Sequence, residues 1–146
     1  MEISYKVFEK KGFGKVPVIH FSGEQYTGLG DLLNIDFSSI TLEDILYKIN
    51  KIENGESEFE EIGTERSIVE IRKNECMIYD AFDGLLDDDE LNPTINLSTL
   101  EFKKIVIDWK VEREKLLSTI KKIKALRIFS KSPFTSNPQS NHAIIL

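Results

Sequence analysis

The chain contains one cysteine, Cys76, and two histidines, His20 and His142, and this scarcity removes whole classes of chemistry. A lone cysteine cannot close an intramolecular disulfide, which points to a reducing, cytoplasmic home. A zinc site of the usual Cys and His composition lacks its ligands. Cys76 lies among apolar neighbours and reads as a small buried hydrophobe. His20 falls in Val18-Ile19-His20-Phe21, where it reads as an ordinary strand residue. A Cys–His dyad would need these two to meet, and no spacing in the chain brings them together. Long hydrophobic runs are also missing: nothing approaches the roughly 20 apolar residues of a membrane span. The first residues, Met1-Glu2-Ile3-Ser4-Tyr5-Lys6, lack the basic-then-apolar layout of a signal peptide.

Other motifs fail on closer reading. Gly12-Phe13-Gly14 and Gly28-Leu29-Gly30 are not followed by Lys-Ser/Thr and are not phosphate loops. With 25 acids in the chain, some pair of carboxylates always falls at glycosidase spacing, so such a pair carries no weight. We therefore expect no catalytic residues, no cofactor and no metal.

Positive charge is scarce in the first hundred residues, which hold 9 Lys/Arg against 21 Asp/Glu. Residues 101–146 reverse this, with 10 against 4, and the whole chain carries a net charge of −6. One reading is internal: a basic C-terminal helix lies over an acidic body. The other is that the acidic surface is open and steers a basic partner. Nucleic acid is disfavoured, because an acidic body repels phosphates. Lys103, Lys104, Lys110, Arg113 and Lys115 of the last helix are interleaved with Glu101, Asp108, Glu112 and Glu114, as on a solvated face.

Negative charge peaks in one segment: Asp80, Asp83, Asp87, Asp88, Asp89 and Glu90 fall within eleven residues. A calcium loop of the EF-hand type fails here. From Asp80 the third and sixth positions are Phe82 and Leu85, and from Asp83 the third is Leu85. Phe82, Leu85 and Leu86 are interspersed with the acids. The nine residues Asp80, Phe82, Asp83, Leu85, Leu86, Asp87, Asp88, Asp89 and Glu90 are the candidate partner-binding set, with charge for encounter and apolar side chains for hold. Tyr26 and Tyr79 are further aromatic candidates.

Around this segment the pattern predicts an α+β fold with an antiparallel sheet of about four or five strands and two helices packed on one face. Residues 1–129 form a single domain, and 130–146, rich in Ser, Asn and Pro, a loosely ordered tail. Ile3–Glu9 and Val16–Phe21 form a hairpin, with Pro17 marking a strand start or a sheet edge. Residues 22–36 read as irregular. Thr41 caps a helix whose stripe is Leu42, Ile45, Leu46, Ile49 and Ile52, and Gly55 ends it. Ser67–Arg72 and Glu75–Phe82 form a hairpin turning at Lys73-Asn74, with Asn74 the position most in need of positive φ. Ser98 and Glu101 form a capping box. The helix that follows buries Phe102, Ile105, Val106, Trp109, Leu116, Ile120 and Ile123, and Arg113 snorkels or marks a bend. Running to about Leu126, it outreaches the sheet beneath it.

The segment Asn96-Leu97-Ser98-Thr99-Leu100-Glu101-Phe102, continued by Ile105-Val106-Ile107-Asp108-Trp109, resembles the C-terminal region of many small bacterial immunity proteins. These belong to polymorphic toxin and contact-dependent inhibition systems. The likeness spans roughly residues 67–117, and the chain beyond Lys121 has no counterpart in it. It implies a stoichiometric, non-catalytic inhibitor that binds a cognate toxin domain, often a basic nuclease, and blocks its active site or substrate surface. The chain itself is expected to be a monomer or weak dimer. Two rivals remain: a small-molecule or enzymatic pocket between sheet and helices, and a subunit that self-associates through its long helix.

Overall fold

A computed structural model describes residues 1–12 and 14–130. Its architecture is α+β, with six strands in two antiparallel sheets and three α-helices among the described residues. The expected single sheet is therefore divided. β1 (Ile3–Lys10) and β2 (Gly14–Phe21) form a separate ribbon. β3 (Glu60–Gly63), β4 (Ser67–Ile71), β5 (Glu75–Asp80) and β6 (Ile95–Ser98) form a meander in sequence order.

Residues 22–36, expected to be irregular, contain α1 (Thr27–Leu33), whose Gly28, Leu29, Leu32 and Leu33 are buried. Glycines hide this helix in sequence. A Cβ on Gly28 would meet Ile78 and the Ser67 hydroxyl at 3.6 and 3.7 Å, so α1 presses closely on the sheet. α2 (Leu42–Glu53) matches its sequence signals. Thr41 Oγ accepts from Asp44 N–H, the Asp44 carboxylate accepts from Thr41 N–H, and Gly55 takes φ +74°. The Gly55 and Glu56 N–H groups reach back to the Ile52 and Lys51 carbonyls, closing the helix as a Schellman motif.

The meander buries one face. Val69, Ile71, Cys76, Ile78, Ile95 and Leu97 line it, and the three helices cover it. α3 (Thr99–Ser130) and α1 lie between this sheet and the ribbon. Trp109, fully buried on α3, stacks on Tyr5 of β1 at 5.7 Å and donates its Nε1–H to the Leu33 carbonyl at 2.7 Å. One residue thus ties ribbon, α1 and α3 together.

β2 is an edge strand with its edge managed. The Asn34 side-chain amide accepts from Ile19 N–H at 2.9 Å and donates to the Ile19 carbonyl at 3.1 Å, acting as a one-residue strand. Ile19 therefore points its backbone groups away from β1, and so does Pro17 two residues earlier. The missing Pro17 N–H removes no ladder bond.

Four details differ from expectation. Among the described residues no non-glycine has positive φ, so Asn74 makes its turn without it. Ile123 is 36% exposed and lies outside the buried stripe, whose last buried residue among the described side chains is Ile120. Ser98 Oγ accepts from Glu101 N–H at 3.0 Å, which satisfies half of the expected capping box. Arg113 does not simply reach for water: its guanidinium pairs with Asp36 at 2.9 Å. The 32-residue α3 is about 48 Å long at 1.5 Å per residue. Residues 121–128 are exposed on every side, so its end projects. The tail expected from 130 onward lies, beyond Ser130, outside the described residues.

Candidate functional site

The acidic segment leaves β5 at Asp80 and rejoins the sheet at Ile95. Asp80 is turned inward and buried rather than offered to a partner. Its carboxylate accepts from Arg66 Nε at 2.8 and 2.9 Å, from Phe82 N–H at 2.9 Å and from Asn92 N–H at 2.8 Å. The Arg66 hydrogen bonds, above all, hold the Asp80 carboxyl down at about 2, against burial, which pushes it upward. The same bonds raise the Arg66 guanidinium. Arg66 also donates to the Glu90 carbonyl at 3.0 Å, and its guanidinium lies 4.9 Å from the Phe82 ring centroid.

This knot closes the loop at both ends. Phe82 N–H and Asn92 N–H, ten positions apart in the chain, hang from one carboxylate. Between them the backbone turns on itself, with Leu85 and Leu86 N–H bonded to the Phe82 carbonyl and Gly84 at φ +85°. A 3₁₀ turn covers Asp88–Glu90. What the loop presents outward is Asp83, Leu85, Asp87, Asp88, Asp89 and Glu90, all exposed, with Leu85 78% accessible. Leu86 is half-buried, and Phe82 is half covered by Arg66. Carboxylate oxygens of Asp87, Asp89 and Glu90 come within 4.8 Å of one another. Like charges held this close favour any cation or cationic surface that approaches.

The uncovered face of the meander adjoins the loop. Ile68, Met77 and Tyr79 lie there half-exposed. Burial raises the Tyr79 hydroxyl first, and neighbouring Glu61 and Glu70 raise it further. Arg72 on this side pairs with Glu70 at 3.2 Å and lies over the exposed Phe59 ring. Sequence reading named Tyr79 for its place beside acids, but missed Ile68 and Met77. Strand alternation could have shown that they share its face. Tyr26, also named, packs half-buried against the core.

No protein-family model, curated protein or solved structure matches this chain. The functional reading therefore rests on its own geometry.

His20 and Cys76 do not meet. Cys76 is fully buried, burial pushes its thiol up, and its partner is the Thr99 hydroxyl at 3.5 Å. His20 is exposed and lines an open cleft of about 550 Å³ between β2 and α1, with Glu24 and Asp31 in the same lining. Its imidazole is hydrogen-bonded to neither among the described residues. Among these residues, too, no helix is long and apolar enough to cross a membrane.

Proposed function

We propose that this protein is a cytoplasmic immunity protein that binds and neutralises a cognate bacterial toxin domain without catalysis. The observation that carries this reading is the acidic loop, pinned at its ends by Asp80 and Arg66 and open along its length. A pinned loop loses little entropy on binding, and its uniform negative charge suits the basic working surface of a nuclease. Asp83, Asp87, Asp88, Asp89 and Glu90 steer the encounter, while Leu85, with Leu86 and Phe82 behind it, supplies apolar contact.

The test is binding kinetics against the toxin domain encoded beside this gene. Reversing Asp87, Asp88, Asp89 and Glu90 to Lys is expected to slow association by about tenfold or more at low salt, with a smaller change in dissociation. Leu85→Asp is expected to act mainly on dissociation. Neutralisation untouched by either variant would overturn this assignment of the surface.

A second reading, a small-molecule site, is favoured by the β2–α1 cleft that holds His20, Glu24 and Asp31. Ligand-dependent thermal stabilisation that is lost in His20→Ala would favour it over the first.

A further inference from the structure

α3 is apolar on two sides. One side carries Phe102, Val106 and Trp109 into the core. The opposite side carries Leu100, Ile107 and Val111, which are 77%, 40% and 47% exposed and fall within about 40° of arc on the helix. A shallow groove of about 590 Å³ runs along Leu100 and Ile107, flanked by Lys104 and Asp108. A helix with an apolar stripe on both sides is built to be covered on both.

We propose that a second copy of this chain covers it, packed antiparallel along α3 about a twofold axis near residues 105 and 106. That pairing sets Leu100 against the partner's Val111, with Ile107 beside the stem of the partner's Lys104. The rim charges suit themselves in the same register. Lys104 and Asp108, which pair within one helix at 2.8 Å, each come opposite the partner's residue of contrary sign. On the other rim Lys103 would approach the partner's Lys110, but each already has an acid in its own copy, Glu53 at 2.7 Å and Glu43 at 3.6 Å. A rim of both signs fits a self-complementary interface better than a uniformly basic or acidic partner.

The projecting end of α3 supports the same arrangement. In an antiparallel pair it runs past the point where the partner's α3 begins. At that point the β4–β5 turn is tied to the helix, since Thr99 N–H donates to the Asn74 carbonyl and the Thr99 hydroxyl to the Arg72 carbonyl. Exposed Glu58 and Glu75 gather there with Glu53, and Arg72 and Lys73 are the nearby cations, Arg72 already paired with Glu70. The passing segment brings Lys121, Lys122 and Lys124, which have no acidic partner within their own copy among the described residues. The charge asymmetry between the two parts of the chain is thus answered between copies. This inference is independent of toxin binding, because it uses none of the loop residues.

Sedimentation velocity and light scattering on the full chain, over a concentration series, provide the test. The expected mass rises with concentration to twice 16.8 kDa. Lys104→Asp and Asp108→Lys should each weaken the dimer by about tenfold or more, and the double exchange should restore it. Ile107→Asp should leave a monomer with an unchanged circular dichroism spectrum, and the acidic-loop reversals should leave the dimer intact. A chain that stays monomeric throughout would overturn the proposal. So would a dimer indifferent to Ile107→Asp and to both single reversals, or a monomer that purifies with nuclease-sensitive nucleic acid on its basic helix.

Discussion

At Asp80 a carboxylate leaves water only because N–H groups of Arg66, Phe82 and Asn92 replace it. Removing the charge while keeping the shape, as in Asp80→Asn, should cost about 2 kcal/mol at neutral pH, since Arg66 is partly open and water screens part of the loss. The sign of the pH dependence follows from the depressed value. A carboxyl moved from 3.8 to about 2 contributes stability above its unfolded value and loses it as pH falls through about 2. Chemical denaturation of wild type and Asp80→Asn should therefore differ at pH 7 and converge between about pH 4 and pH 2. Ser67, opposite Asp80 in the β4–β5 register, is a contrasting case. Its hydroxyl is fully buried and has no hydrogen-bond partner among the described residues. Ser67→Ala should leave the thermal midpoint unchanged or slightly raised, because it discards a desolvated group and no hydrogen bond.

Among the elements, α2 was legible because its signals are local: a Thr cap, acids in the first turn, one apolar stripe and a terminal glycine. α1 was not, being seven residues long with two glycines, and it is helical because packing against β4 and β5 makes it so. The partition of strands into ribbon and meander was equally hidden. Hairpins are local, but nothing local says whether two hairpins share a ladder. Here α3 intervenes, and Trp109 joins what it separates. Trp109→Phe should therefore cost more than its change in volume. It strands the Leu33 carbonyl and loosens the stack on Tyr5, for about 2–3 kcal/mol by denaturant titration.

For the whole molecule, charge and shape divide the surface into an acidic loop beside an open sheet face, and a helix that is apolar outside and basic at its end. Part of the imbalance in composition is settled within the fold, since Lys103, Lys110 and Arg113 meet Glu53, Glu43 and Asp36. The remainder, on the loop and on the projecting helix, lies exposed at the surface. If the loop steers a basic partner, its association rate should fall steeply as ionic strength rises from about 0.01 to 0.15 M, where the screening length shrinks from about 30 to 8 Å. Stopped-flow mixing with the toxin domain reads this directly. A rate indifferent to salt would point to the apolar residues alone.

From the sequence alone came the α+β class, the capped helix α2, the long final helix with its buried stripe, and the place where negative charge concentrates. Each is carried by periodicity or by neighbours within a few positions. Tertiary structure decided which of those charges are usable. Asp80 and Asp83 are three residues apart and alike in composition, but one closes the loop against Arg66 and the other faces water. Burial and pairing are long-range facts, set by what folds over a residue, and so no local pattern could tell these two carboxylates apart.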